Sequence, residues 1–373
     1  MATTFALVVG WSVERLATLL RGPRVEERLA EAPALAPVPP KKKLFKIGSR
    51  KSKLALIQSE WVMGELQKLH PTCTFELHTR ETIGDKVLDV ALSKIGTKNL
   101  FTRELEALLA SGGVDLVVHS LKDLPTTLPE GMALGAITER EDPRDAVIFR
   151  ADITGRYKSL ADLPKGAYIG TSSLRRTAQL RRLFPHLHFE SVRGNLNTRL
   201  RKLDESTDGG AEGERYAALV LAAAGVHRME WQGRIGQYLD PNQCPYAVGQ
   251  GSLGIECREG DRDTLALLQC MGHRASAFRC TAERAFMREL EGGCSVPIGV
   301  YSEVVHGNAI RMLGAVHSLD GTDSLLAEVS GPCSTIDEAN AAGVSLAKLL
   351  IGKGAKAILD AIPRHDAPNV KPN

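Results

Sequence analysis

The seven cysteines, Cys73, Cys244, Cys257, Cys270, Cys280, Cys294 and Cys333, form no CxxC pair and no Cys/His metal-ligand spacing. An odd number of thiols in a chain of 373 residues argues against a disulfide framework and suits a reducing compartment. Long apolar runs are missing too. Phe5 to Trp11 is too short to span a bilayer and has no basic segment before it, and no later stretch is apolar for long enough. There is no P-loop. The glycines of Tyr246 to Glu256 do not fall as GxGxxG, and they precede a strand-like run instead of opening a helix. A hinge or crossover suits that stretch better. Charge of one sign is scarce, at a formal +3, and aromatics are only 5% of the chain. None interleaves the arginine clusters, so a base-stacking nucleic-acid surface is excluded, as is a membrane partner.

What remains is an ordinary soluble composition, 43% hydrophobic and 24% charged, long enough for two or three domains. Residues 1–43 stand apart. Arg15, Arg21, Arg24 and Arg28 hint at a transit segment, but Glu14, Glu26, Glu27 and Glu31 spoil it, and Ala32 to Pro40 is a Pro/Ala linker. This segment is read as a mobile extension. The expected location is the cytoplasm, with an organelle as the alternative.

From Leu44 the chain alternates strand-like and helical patterns. Leu44 to Gly48 leads through Arg50 and Ser52 into a helix from about Leu54 to Leu69, so both side chains sit at a strand-to-helix turn. Such turns bind ligands in open α/β sheets, and anions suit helix N-termini. Taken alone, this turn is better explained as a capped turn with solvated basic residues. Thr82 to Lys98 reads as a loop flap, and Phe101 to Ala110 as a helix. Val114 to Val118 is a buried strand that empties into His119-Ser120-Leu121-Lys122-Asp123. His, Lys and Asp at a strand's carboxyl end favour chemistry there over a simple Lys–Asp pair.

Three strand–loop–helix units follow, each with arginine past the strand end. Ala167 to Gly170 runs into Thr171, Ser172, Ser173, Arg175 and Arg176. Phe189 to Val192 runs into Arg193, Asn195 and Arg199. Ala217 to Leu221 runs into Ala222 to Gly225 and Arg228. These five arginines are expected to converge on one rim, helped by the helix N-termini at Ser172/Ser173 and Asn195. Guanidinium forks match carboxylates and phosphates, so the ligand carries several of these groups. Arg181, Arg182, Arg201 and Lys202 lie further along the helices and belong to the solvated surface.

Beyond about Gly272, helices and grouped strands suggest a small α+β unit. Its centre is Glu291-Gly292-Gly293-Cys294-Ser295-Val296-Pro297-Ile298-Gly299. Thr281 is the expected cap of the helix that enters this loop. Two glycines clear space beside the thiol, and Pro297 stiffens the exit. The thiol is placed to react or to carry something; a buried structural cysteine is the plain alternative.

Taken together, His119-Ser-Leu-Lys-Asp-Leu-Pro, Gly170-Thr-Ser-Ser-Leu-Arg-Arg, Val192-Arg-Gly-Asn and the Cys294 loop resemble hydroxymethylbilane synthases, also called porphobilinogen deaminases. The resemblance runs from about Leu44 to Leu359. It implies two type II periplasmic-binding-protein-like α/β domains, 44–140 with 250–271 and 141–249, and a small C-terminal α+β domain, 272–362, with a tail from 363. It implies a dipyrromethane cofactor, thioether-linked to Cys294, onto which porphobilinogen is added with loss of ammonia. Asp123 matches the catalytic carboxylate. Lys122, Arg50, Ser52, Thr171, Ser173, Arg175, Arg176, Arg193, Arg199 and Arg228 match positions that bind acetate and propionate groups or steady the chain. Gln58 and Gln250 match polar positions near the cleft, and Phe101 an aromatic position beside the pyrroles. A monomer is expected. The competing functions are a non-catalytic receptor for a small polycarboxylate and a phosphate-handling transferase.

Overall fold

The computed structural model describes residues 40–82, 84, 102–206, 216–290, 296–305 and 308–362. They form two five-stranded sheets and one three-stranded sheet.

The first sheet is built from β1 (Leu44–Arg50), β2 (Thr74–Arg80), β3 (Leu116–Ser120), β4 (Met132–Ile137) and β10 (Leu253–Arg258). Its order is β2-β1-β3-β10-β4. Helices α1 (Lys53–Leu69), α2 (Arg103–Ala110) and α6 (Arg262–Leu268) serve this unit. The second sheet uses β5 (Asp145–Phe149), β6 (Tyr168–Gly170), β7 (His188–Glu190), β8 (Tyr216–Ala222) and β9 (Ile235–Tyr238), in the order β7-β6-β8-β5-β9. Its helices are α3 (Leu174–Leu183), α4 (Leu196–Asp204) and α5 (Ala223–Arg228). In each sheet the first three strands run parallel, and the strand arriving from the other unit, β10 or β5, is antiparallel to its neighbours. This repeated order is that of type II periplasmic binding proteins. It follows from two crossovers exchanging one strand each.

The third unit is the antiparallel sheet β11 (Ile298–Val305), β12 (Ala309–His317) and β13 (Ser324–Pro332), packed on α7 (Arg274–Glu289) and α8 (Ile336–Gly352) and followed by α9 (Ala355–Asp360). Close approach of the two long helices depends on Gly343, where a Cβ would lie 2.0 Å from Ala282 O. Thr335 and Glu338 form a reciprocal capping box at the start of α8.

Some local expectations change. Helix α7 starts a full two turns earlier than Thr281: His273 is its cap, with the side chain accepting from Ser276 N. Ala275, Phe278, Ala282 and Phe286 are all buried, and they extend the apolar face back to that cap. Strand β3 runs to Ser120, so His119 lies inside the sheet and not in the loop beyond it. Strand β9 and helix α9 had too little periodic pattern to be read from the sequence.

The two crossovers lie against each other. Glu141 N donates to Gly251 O at 3.3 Å, and Gln250 Nε2 donates to Pro143 O at 2.7 Å. Gly251 has φ +98, and a Cβ there would meet Glu141 O at 2.2 Å. Arg140 ties this junction to the third unit through two hydrogen bonds to Glu283 of α7, at 2.6 and 3.0 Å, while Glu283 also accepts from Gly249 N at 2.8 Å.

Candidate active site

The carboxyl ends of the parallel strands in both α/β units face the cleft between them. From the first unit, β3 ends in a single 3-10 turn, Leu121–Asp123. Leu121 is buried and its N–H donates to Ser252 O at 3.0 Å. Leu124 is buried as well, and its carbonyl accepts from Arg284 Nη1 of α7 at 3.1 Å; Pro125 O accepts from Arg284 Nη2 at 2.6 Å. With both leucines anchored, Asp123 is left exposed and Lys122 half-buried. Burial pushes the Lys122 amine down to about 8; Asp123 opposes that shift, and Arg176 and Arg175 reinforce it.

From the second unit, Ser173 caps α3 and accepts from Arg176 N, while Thr171 Oγ1 accepts weakly from Ser173 N at 3.4 Å. Asn195 caps α4 by accepting from Thr198 N at 3.0 Å. Arg199, one turn on, donates from Nε to Gly194 O at 2.7 Å. Desolvation lowers its guanidinium to about 10; Arg176 and Arg193 add repulsion, and Asp123 opposes it. Arg193 is also lowered, by burial. Lys122, Asp123, Arg175, Arg176, Arg193 and Arg199 are therefore electrostatic neighbours, contributed by both α/β units.

Not every expected residue joins this group on equal terms. Arg175 and Arg176 are buried on Asp145, a residue the sequence did not single out. Arg175 Nη1 donates to Asp145 Oδ2 at 2.8 Å and to Pro245 O at 2.7 Å; Arg176 donates to Asp145 Oδ1 from Nη2 at 2.8 Å and Nε at 3.0 Å. Gln250 Nε2 reaches the same carboxylate at 2.8 Å. Asp145 opens β5, the antiparallel strand, so its N-terminal end lies beside the carboxyl ends of β6 and β8. That reversal could have signalled it. Arg228 turns to the crossover, donating from Nη2 to Gly251 O at 2.6 Å, and desolvation lowers it to about 10. Gln58 is buried and donates to Ser120 Oγ at 3.0 Å, behind the Asp123 turn. Arg50 ends β1 and Ser52 is the cap residue of α1, both half-buried. Helix α1 crosses to α5, where Gly225 and Leu54 face each other.

Phe101 and Cys294 lie outside the described residues, as do most of the Thr82 to Lys98 stretch and the segment 291–295. The segment's anchors are described. Leu290 is buried at the end of α7, and Pro297 O accepts from His317 N at 3.1 Å. Among the described residues no group of three His, Cys, Asp or Glu side chains could hold a metal ion, and no helix is long and apolar enough to cross a membrane.

Cations exceed carboxylates in this cleft, and burial depresses several of them. Such a site fits a ligand that brings several carboxylates of its own, as a dipyrromethane does. The fold defines a two-lobed α/β protein with an added third unit, and charged turns of the two lobes are electrostatic neighbours. Residues 45–266 match the family model "Porphobilinogen deaminase, dipyromethane cofactor binding domain", and residues 277–352 match "Porphobilinogen deaminase, C-terminal domain". A porphobilinogen deaminase of Synechococcus elongatus is 54% identical over 320 residues, covering 85% of this chain and 95% of its own. One from Gloeobacter violaceus is 54% identical over 317 residues, covering 85% and 93%. One from Dictyostelium discoideum is 47% identical over 317 residues, covering 84% and 95%. The chain belongs to the porphobilinogen deaminase family, the transferases of haem and tetrapyrrole biosynthesis with hydroxymethylbilane synthase activity and a dipyrromethane cofactor. A non-catalytic receptor is not retained.

Proposed function

We propose that this chain joins four porphobilinogen molecules head to tail with loss of ammonia, with Cys294 holding the dipyrromethane by a thioether bond and Asp123 as the catalytic carboxylate. The bound dipyrromethane supplies the primer for these additions; water finally releases linear hydroxymethylbilane. The observation that carries the residue-level reading is the placing of one exposed carboxylate, Asp123, among the desolvated cations Lys122 and Arg199.

Asp123 stabilises the positive charge that develops as ammonia leaves porphobilinogen and exchanges protons at the pyrrole N–H. Lys122, Arg193 and Arg199 take acetate and propionate groups, with the capped helix starts at Thr171 and Ser173 adding donors. Arg175 and Arg176, held by Asp145, present a fixed positive wall. Arg50 and Ser52 contribute from the opposite lobe, and Phe101 lies beside a pyrrole. Gln58 supports the Asp123 turn through Ser120. Gln250 and Arg228 serve the crossover, about which the lobes rotate as the chain lengthens. Arg284 of α7 holds Leu124 and Pro125, which ties the Asp123 turn to the third unit.

The domain limits follow the same reading: 44–140 with 250–271, 141–249, and 272–362, with 1–43 and 363–373 as extensions. The protein works as a cytoplasmic monomer with no nucleic-acid or membrane partner. Intact mass of the native protein and of Cys294→Ala tests the central claim. The native mass should exceed the sequence mass by one dipyrromethane, and the variant should fold but lack both adduct and turnover. Full activity in Cys294→Ala, or an adduct mapping to Cys257 or Cys280, would end it.

A further inference from the structure

His119 opens the motif that ends in Asp123, yet it does not reach the cleft. It is 5% exposed, and its Nε2 lies 2.9 Å from Oε2 of Glu256, a residue with no exposed surface on β10. The two are diagonal neighbours on one face: His119 pairs with Gly254 across β3 and β10, and Glu256 lies two residues further along. Glu256 Oε1 has no hydrogen-bond partner among the described residues, and neither does Glu106 Oε1 of α2, the third titratable group facing this spot. A buried carboxylate with one oxygen unsatisfied is costly to keep and is weak as a source of stability. Its position suggests what it does instead.

The residues that flank Lys122 and Asp123 are held by named partners. Ser120 is held by Gln58 of α1, Leu121 N by Ser252 O of the returning crossover, and Leu124 O by Arg284 of α7. His119 adds the link to Glu256 of β10, further along the chain from that crossover contact. Together these contacts hold the chain on both sides of Lys122 and Asp123.

We propose that His119 and Glu256 form a positioning pair for the reaction, clamping the end of β3 to β10 so that the Asp123 carboxylate is aimed into the cleft; this rests on the reading of Asp123 as the catalytic carboxylate. Neither side chain touches the reacting atoms. Misplacing a reacting group by about 1 Å costs on the order of 100-fold in rate, and a loosened turn samples only part of such a shift.

The test uses His119→Gln, Glu256→Gln and the double variant, each in the parent and in an Asp123→Asn background. Each single variant should lower kcat about 10-fold with KM within about twofold, the signature of a contact that matters in the transition state. Amide exchange at Leu121 and Leu124 should quicken about 10-fold while amides of β12 are unchanged, which is local opening and not global loss. Intact mass should show the dipyrromethane retained. The double variant replaces the imidazole–carboxylate contact by a pair of amides that can bond to each other, and it should recover kcat to within about threefold of the parent. With Asp123→Asn already present, His119→Gln should cost nothing further.

Unchanged kcat in both single variants would overturn the proposal, as would a full additional loss in the Asp123→Asn background. Should a single variant fail to fold, the double decides, and a kcat still down about 10-fold there counts against the clamp. If Asp123→Asn alone keeps normal turnover, the reading of Asp123 fails. The clamp is then judged on amide exchange by itself, and unchanged exchange at Leu121 refutes it.

Discussion

Asp145 Oδ2 accepts a 2.8 Å hydrogen bond from Arg175 Nη1, and both side chains are buried. Arg176 holds the other oxygen, so a single carboxylate fixes two arginines of the Gly170-Thr-Ser-Ser-Leu-Arg-Arg motif. Burial works against the charges, yet their attraction holds Asp145 well below the ordinary carboxylate range and Arg175 above its own. The positive wall of the cleft is therefore built partly from inside the protein, before any ligand arrives.

Removing that carboxylate strands two buried cations. Asp145→Ala should destabilise the protein by roughly 3–5 kcal/mol, the cost of breaking a buried pair. Urea denaturation at pH 7 and at acid pH checks it. Because the folded-state pKa is depressed, the parent's stability from this group is present above the ordinary carboxylate pKa and is lost as pH falls below it. Asp145→Ala should therefore approach the parent in acid, and a constant difference across pH would contradict the assignment.

Lys122 is poised to take up a proton when a carboxylate docks. Its amine sits at about 8 through burial, with Arg176 and Arg175 among the groups that disfavour its charge. A bound carboxylate favours the charged form, so at pH 8 porphobilinogen binding should draw in up to about half a proton per site. Affinity should weaken as pH rises beyond that value. Calorimetry in buffers of different ionisation enthalpy measures the uptake directly. Lys122→Met should abolish it, and uptake that survives the substitution would place the titrating group elsewhere.

The seam between the third unit and α3 carries a second pH signature. His317 of β12 is buried, and neither ring nitrogen has a hydrogen-bond partner among the described residues. Desolvation, with Arg182 and Arg175 adding repulsion, lowers the imidazole to about 4. In the unfolded chain it titrates near 6.5 and so binds more protons below that pH. Stability should then be lost as pH falls from about 6.5 to about 4, by roughly 2–3 kcal/mol in all from this group. His317→Leu should flatten that part of the curve. Parallel melting-temperature profiles for the two proteins would show that the imidazole does not fold neutral.

Much of this protein is legible without coordinates. Apolar patterning placed β1, β3, β6, β7 and β8 to within about two residues at either end, because buried strands read as compact apolar runs. Local chemistry placed Ser173 and Asn195 at helix starts, where their side chains meet backbone N–H groups within a few residues. The motif set, read in order, gave the family, and the two family models span the same stretch.

What the tertiary structure decided is which side chains share a space. Asp145 meets Arg175 across 30 residues, His119 meets Glu256 across 137, and Arg140 meets Glu283 across 143. No local pattern encodes those distances, because each depends on an antiparallel strand returning from the other lobe or on α7 docking against the crossovers. For the same reason a histidine that the sequence places at the mouth of a site is turned inward. Strand alternation assigns it a face, and only the neighbouring sheet and helices determine whether that face meets water or a buried carboxylate.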